Sequence, residues 1–196
     1  MKVILLLLSL GLFVSCESKQ PISCFYYVQQ EKSFIKSEEC ISLSSSNDFI
    51  ATDDSDIYIK KDIINRAYYN EYNLSNLRTD IGIFYFTKKG KSRKVLAFDN
   101  SADYFKDGLA RTIGKNKKIG YIDTKLNIVI EPKYDFAFPF ENKKAIVCNG
   151  CTKHKLGEHS SLIGGKWGII DTDGTLIKPM KYSSFGETYK IILSLD

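Results

Sequence analysis

Histidine and tryptophan are almost missing from this chain, which has two His and one Trp in 196 residues. Histidine is the usual carrier of protons near neutral pH, and both copies, His154 and His159, fall in one short stretch. Acid–base chemistry elsewhere therefore lacks its commonest agent. There is no Gly-x-Ser-x-Gly elbow and no His-Glu-x-x-His pair, which removes the signatures of α/β hydrolases and of common zinc peptidases. Gly108 to Lys115 imitates a phosphate loop, but five residues separate its glycines where four are needed, and Asn116 stands where a Ser or Thr would bind magnesium. A large excess of charge is missing too. The formal balance is +5, and without Lys2 it is 27 basic against 23 acidic residues, or +4; that is too mild to argue for nucleic acid. The charge is uneven, with six carboxylates and no Lys or Arg in residues 38–58, and 11 basic against five acidic residues in 80–125. Solvated turns between strands are the expected explanation.

What is present begins at the N-terminus. Lys2 is followed by an apolar run from Val3 to Val14 and then by Ser15-Cys16 and polar "ESKQP". The run is short of the roughly 20 residues a spanning helix needs, so it reads as a secretory signal. Phe13-Val14-Ser15-Cys16 resembles the lipobox of bacterial lipoproteins, with Phe13 in the place of the usual leucine; the alternative is an ordinary cleaved signal peptide. The resemblance implies cleavage before Cys16, acylation of its thiol, and a mature chain of 181 residues. Five cysteines agree with this: Cys24, Cys40, Cys148 and Cys151 can pair in an oxidising compartment, leaving Cys16 for the lipid.

The second half says one thing twice. "KKIGYIDTKLN" from Lys117 is echoed by "GGKWGIIDTDG" from Gly164, so that Gly120, Ile122, Asp123 and Thr124 fall on Gly168, Ile170, Asp171 and Thr172, 48 residues later. Upstream, Phe105-x-Asp107-x-x-Ala110 falls on Phe140-x-Asn142-x-x-Ala145 at an offset of 35. A unit of about 35 residues follows, with 13 residues inserted in the second copy. Each unit reads as short strands, rich in β-branched and aromatic residues and broken by Gly, Asn or Pro. Asp173-Gly174 predicts a two-residue primed turn, Pro132 and Pro179 predict strand ends, and Gly120 and Gly168 predict bulges or close backbone approach. A fainter copy starts at Gly82, without the Asp-Thr pair.

"GKWGIIDTDGTLIKPMKY" resembles the WG repeat, also called the KWG repeat, of bacterial proteins: Trp-Gly, an apolar-Asp pair, a Gly turn, an apolar pair, then Pro and Tyr. The earlier copy has Ile119 in place of the tryptophan. The resemblance covers about residues 80–190 and implies a repetitive β architecture with a binding or scaffolding tendency; it brings no catalytic residues.

Before the repeats, "SCFYYVQQEKSFIKSEECISL" reads as a hairpin around "QQEK" with Cys24 and Cys40 placed to bridge it, and Ile63, Ile64, Ala67, Tyr68 and Tyr72 follow helical spacing up to a stop at Asn73. "TDDSD" at 52–56 lacks a calcium-loop pattern and reads as the turn at a helix N-terminus.

Candidate chemistry concentrates in the insertion, "CNGCTKHKLGEHSSLIGG", where Cys148, Cys151, His154 and His159 lie within 12 residues. Thiolate and imidazole suit zinc, so these four form the alternative metal set, although the spacing fits no finger. The oxidising address favours joining Cys148 to Cys151, as it favours Cys24 with Cys40. Thr152 rules out haem attachment. Tyr104, Tyr134 and Trp167 are aromatic candidates for a groove, against the commoner reading as core.

The expectation is therefore a mainly β protein: a signal at 1–15, a tether at 16–23, an N-terminal β-hairpin region with one helix at 24–79, and short antiparallel hairpin or meander repeats of WG type over 80–196. The repeats fall at about 105–139 and 140–190, with the insertion at about 149–164. Function is expected to be non-catalytic binding or scaffolding in the bacterial envelope, lipid-anchored and facing the periplasm or the cell surface. The partner is a protein, contacted by His154, Glu158, His159 and Trp167, with no cofactor. The alternatives are an immunity lipoprotein against an envelope toxin, and a small thiol or zinc enzyme built on Cys148, Cys151, His154 and His159.

Overall fold

The computed structural model describes residues 22–99, 101–156 and 159–195. The expectations for the signal, for Cys16 and for Glu158 lie outside the described residues. The chain begins with a hairpin of β1 (Ile22–Val28) and β2 (Ser33–Ser42), turned at Gln29–Lys32, where the Lys32 N–H bonds to the Gln29 carbonyl at 3.3 Å. Alternation puts Cys24, Tyr26 and Val28 inward and Phe25 outward. Cys24 and Cys40 are joined, their Cα atoms 5.7 Å apart, across a register shift between Ile22 and Cys24. Two short strands follow, β3 (Phe49–Ile50) and β4 (Tyr58–Lys60), and then α1 (Lys61–Arg66).

The helix is shorter than its apolar spacing suggested. Ala67 turns extended, with its N–H still closing on the Ile63 carbonyl. From there the backbone pairs with β1: Ala67 bridges Val28 and the Tyr68 N–H bonds to the Tyr27 carbonyl at 3.0 Å. Strand pairing has overridden the helical period, so Tyr68 and Tyr72 are not helical. "TDDSD" is likewise separated from the helix by β4. It is a turn whose Asp54 meets Lys91 at 3.0 Å and Arg93 at 2.9 Å, and whose Asp56 accepts the Lys94 N–H at 2.6 Å. The acidic stretch is thus paired in part with the basic one. Thr52 foremost, then Lys91, hold the Asp54 carboxyl down at about 2.

Three antiparallel meanders form the rest: β5 (Leu74–Thr79), β6 (Gly82–Thr87) and β7 (Ser92–Val95); then, after a small ribbon of β8 (Ala97–Phe98) and β9 (Ser101–Ala102), β10 (Leu109–Ile113), β11 (Ile119–Asp123) and β12 (Ile128–Tyr134); and, after β13 (Phe136–Ala137), β14 (Lys144–Leu156), β15 (His159–Asp171) and β16 (Leu176–Tyr182). A helix, α2 (Phe185–Leu193), closes the chain. The first two meanders join the N-terminal strands in a ten-stranded sheet of order β12-β11-β10-β7-β6-β5-β1-β2-β4-β3, and the third makes a four-stranded sheet with β13. The antiparallel sheets include a curled half-barrel. The boundary expected between 79 and 80 falls in the turn joining β5 to β6, and the sheet continues through it.

The repeat is a repeat of turns. Asp123 Oδ1 accepts the N–H groups of Lys125 and Asn127, and Asp171 Oδ1 accepts those of Asp173 and Thr175. In each, only the fourth residue, Leu126 (φ 61°) or Gly174 (φ 83°), is left-handed. Asp173-Gly174 is therefore not a primed turn, because the aspartate side chain takes the N–H groups that such a turn would leave pointing outward. The primed two-residue loops are Asp107-Gly108 and Asn142-Lys143, with positive φ at both positions and reciprocal backbone bonds Lys106 to Leu109 and Glu141 to Lys144. The fainter copy is a true unit, the first of three in chain order. Thr87 stands where Asp123 and Asp171 stand, its Oγ1 accepting the Lys91 N–H at 3.2 Å, with Gly90 left-handed (φ 85°). Tyr85 donates to the Asp103 carbonyl as Tyr121 does to that of Phe138.

Gly120 and Gly168 sit where the register shifts, and a Cβ at Gly168 would lie 2.6 Å from Met180 Sδ and 2.9 Å from the Lys178 carbonyl. Pro132 and Pro179 lie inside β12 and β16 rather than at their ends; both are edge strands, where a missing N–H costs no ladder bond.

Between units the contacts change chemistry. In the second, Arg111 forks onto Asp103, Nη2 to Oδ1 at 2.6 Å and Nε to Oδ2 at 3.0 Å, both side chains buried, while Nη1 reaches the Ala137 carbonyl at 3.1 Å. In the third, 35 residues on, the same positions are Phe138 and Ile146. Phe138 stacks on Phe185 of α2, ring centroids 4.5 Å apart. The helix thus covers the face that a following unit would cover, as terminal caps do in repeat proteins. Its start is capped: Ser184 Oγ accepts the Glu187 N–H, and Glu187 reaches back to accept the N–H and hydroxyl of Ser183, the residue before the cap.

Candidate functional site: a rooted β-arm

The insertion is not a loop. β14 and β15 keep one register from Lys144–Asp171 out to Leu156–His159, so the added residues extend both repeat strands into a two-stranded arm. In the second meander five residues, 114–118, join the corresponding strands; here 149–166 do so, which accounts for the 13 extra residues.

The root of the arm is held from several sides. Gly150, Gly164 and Gly165 all have positive φ (78°, 70° and 75°), and a Cβ on Gly165 would strike the Cys151 nitrogen and Cys148 sulfur. Only glycine lets the ribbon bend there. Cys148 and Cys151 are joined across the bend, buried on its core side. On one strand, Asp135 accepts the Gly150 N–H at 2.7 Å and the Lys118 ammonium at 2.5 Å, and these two contacts, the lysine foremost, hold its carboxyl below the usual range. On the other, Trp167 Nε1 donates to the Gly164 carbonyl at 2.9 Å.

Trp167 is fully buried among Ile146, Cys148, Phe138 and Phe185. The expectation that it contacts a partner is corrected: its indole fills the core of the last unit and anchors the arm. Its counterpart Ile119 is also buried and pairs with Tyr134 as Trp167 pairs with Tyr182, but its side chain has no N–H to give and there is no arm to hold. Tyr134 is buried as well, whereas Tyr104 is half exposed.

Beyond the root, Thr152, Lys153, His154, Lys155, Ser160, Ser161 and Ile163 are exposed. His154 pairs across the ribbon with Ser161, and the backbone of His159 with Leu156. The alternative zinc set is not brought together: both sulfurs are bonded to each other, and His154 stands outside on the arm. Among the described residues, no group of three or more His, Cys, Asp or Glu is placed to hold a metal ion. Asp135 and Lys118 were missed by sequence reasoning, since neither lies near the insertion in sequence and the third unit has Ser183 at the position of Asp135.

A family model described as a WG containing repeat matches residues 119–150 and 167–189. The chain carries WG repeats. The two matched segments of WG repeat are interrupted at 151–166, which is the arm; the family pattern stops at Gly150 and resumes at Trp167, at the root where the disulfide, the bend and the indole bond lie. No curated protein and no solved structure matches the WG-repeat chain. Among the described residues, no helix is long and apolar enough to cross a membrane.

Proposed function

We propose that this WG-repeat protein is a non-catalytic envelope lipoprotein, anchored by acylated Cys16, that binds a protein partner through the β-arm. The repeats act as the frame. The observation that carries the reading is the rooting of the arm: Cys151 and Gly164, outside the WG pattern, are fixed by the disulfide to Cys148 and by Trp167, and Asp135 holds Gly150, the last residue inside it. A decoration needs no such fixing, whereas a contact surface gains affinity from being ordered before binding. His154, Lys153, Lys155 and Ile163 offer cationic and apolar groups for that contact, and Glu158 and His159 belong to the same segment. The exposed lysines favour a partner with an acidic surface.

The test is to replace Thr152 through Ile163 by Asn-Gly, which suits a two-residue turn between Cys151 and Gly164. The disulfide, the bend and the Trp167 bond are all retained. The expected result is a melting temperature within about 2 °C of the parent and loss of the partner from complexes isolated from the native envelope. Unchanged capture by a folded variant would defeat the proposal.

A further inference from the structure

The outward face of the β1–β2 hairpin is aromatic and uncovered. Phe34 is 71% exposed, Phe25 49% and Tyr68 44%. Tyr27 joins them, its ring 5.3 Å from Phe34 and 5.9 Å from Tyr68. Phe25 and Tyr27 share a face because they are two apart on β1, and Tyr27 lies opposite Phe34. A groove of about 390 Å³ runs from Phe25 and Phe34 to Ser101 and Ala102. Two ion pairs border the patch, Lys36 with Glu38 at 2.7 Å and Arg66 with Glu31 at 2.8 Å, and Arg78 lies opposite Phe25 on the neighbouring strand. A soluble surface rarely carries contiguous aromatic rings without an occupant.

The chain indicates the occupant. Cys16 is six residues before Ile22, the first residue of the strand that carries Phe25 and Tyr27. Six steps span at most about 20 Å, and the five from Ile22 to Tyr27 along the strand cover about 17 Å. A lipid on Cys16 would therefore hold this face within its own width of a bilayer, with slack enough to lie flat. Phe and Tyr side chains suit the boundary between headgroups and acyl chains. We infer that Phe25, Tyr27, Phe34 and Tyr68 form a membrane-docking surface that rests on the lipid beside the anchor and fixes the orientation of the protein. The inference depends on acylation of Cys16 as proposed above.

The experiment uses the mature lipoprotein carrying a nitroxide at Lys36→Cys, reconstituted in vesicles of phosphatidylethanolamine and phosphatidylglycerol, with the intact mass read on the same sample. The expected result is lipid on Cys16 and a label that gains oxygen accessibility and loses nickel-chelate accessibility on vesicles. Phe25→Ser with Phe34→Ser should restore water exposure. In a chain starting at residue 16 with Cys16→Ser, vesicle partitioning should fall about tenfold for each ring removed. Lipid on Cys16 with a label that stays in water overturns the docking surface and leaves the anchor standing. No lipid on Cys16, but vesicle partitioning that the two serines abolish, retains the surface and removes the anchor. Failure of both removes both. Dipolar broadening between labels without vesicles means that a second copy covers the face, and overturns the inference.

Discussion

Arg111→Ile should unlock the joint between the second and third units. The guanidinium makes two bonds to the Asp103 carboxylate and one to the Ala137 carbonyl, all buried. Removing it leaves a buried carboxylate with only the Arg111 backbone N–H, at 2.8 Å, to hold it. Breaking a buried pair from one side costs about 3–5 kcal/mol, which for a chain of this size lowers the melting temperature by about 6–20 °C. Asp103→Phe alone should cost a similar amount by stranding the cation. The third unit shows what the joint accepts instead, since Phe138 and Ile146 hold the same positions. The double variant Asp103→Phe with Arg111→Ile should therefore lose less than either single variant, because neither charge is left stranded, with about 1–3 kcal/mol still lost to fitting the larger apolar pair. Urea unfolding followed by circular dichroism would measure all four proteins. A double variant whose losses simply add would refute the claim that the ionic and aromatic joints are interchangeable.

Other outcomes are expected at the arm, the cap and the anchor. Trp167→Phe removes the indole N–H from Gly164, about 1 kcal/mol, and also part of a fully buried ring, so the total cost should exceed that, and hydrogen exchange along the arm should speed up more than elsewhere. Asp135 has a depressed folded pKa, so its contribution is complete above the unfolded value and is lost as pH falls through the folded one. After correction for intrinsic exchange, protection of the Gly150 amide should hold at neutral pH and fall in acid below the ordinary carboxylate range, and Asp135→Asn should abolish that dependence. Ser184→Ala, removing the α2 cap, should cost about 1 kcal/mol. Intact mass of membrane-extracted protein should show lipid on Cys16; an unmodified N-terminus beyond it contradicts the anchor.

The repeat was legible because its turns are specified by side chains. Asp123 and Asp171 recur since each must accept two backbone N–H groups, and Gly120 and Gly168 recur since the facing strand leaves no room for a Cβ. The size of the insertion could be read by subtraction. Its structure could not, because a polar stretch with four glycines carries no alternation, and only the pairing of its two halves makes them strands. The first meander was faint because Thr87 replaces aspartate with a shorter acceptor that makes one of the two bonds. The primed turns hid at Asp107-Gly108 and Asn142-Lys143, while Asp173-Gly174 took a different geometry under the influence of Asp171. The α2 helix had its signal in the sequence, Ser184 followed three residues later by Glu187. Trp167 was misplaced because a lone aromatic in a strand has the same local pattern whether it faces core or solvent.

The arm as contact surface is tested most directly by a photo-crosslinking residue at His154, compared with one at exposed Lys117 in the unmodified turn of the second unit, irradiated in the native envelope. The account predicts a discrete protein adduct from position 154 and none from position 117. Equal crosslinking from both, or none from position 154, would contradict it.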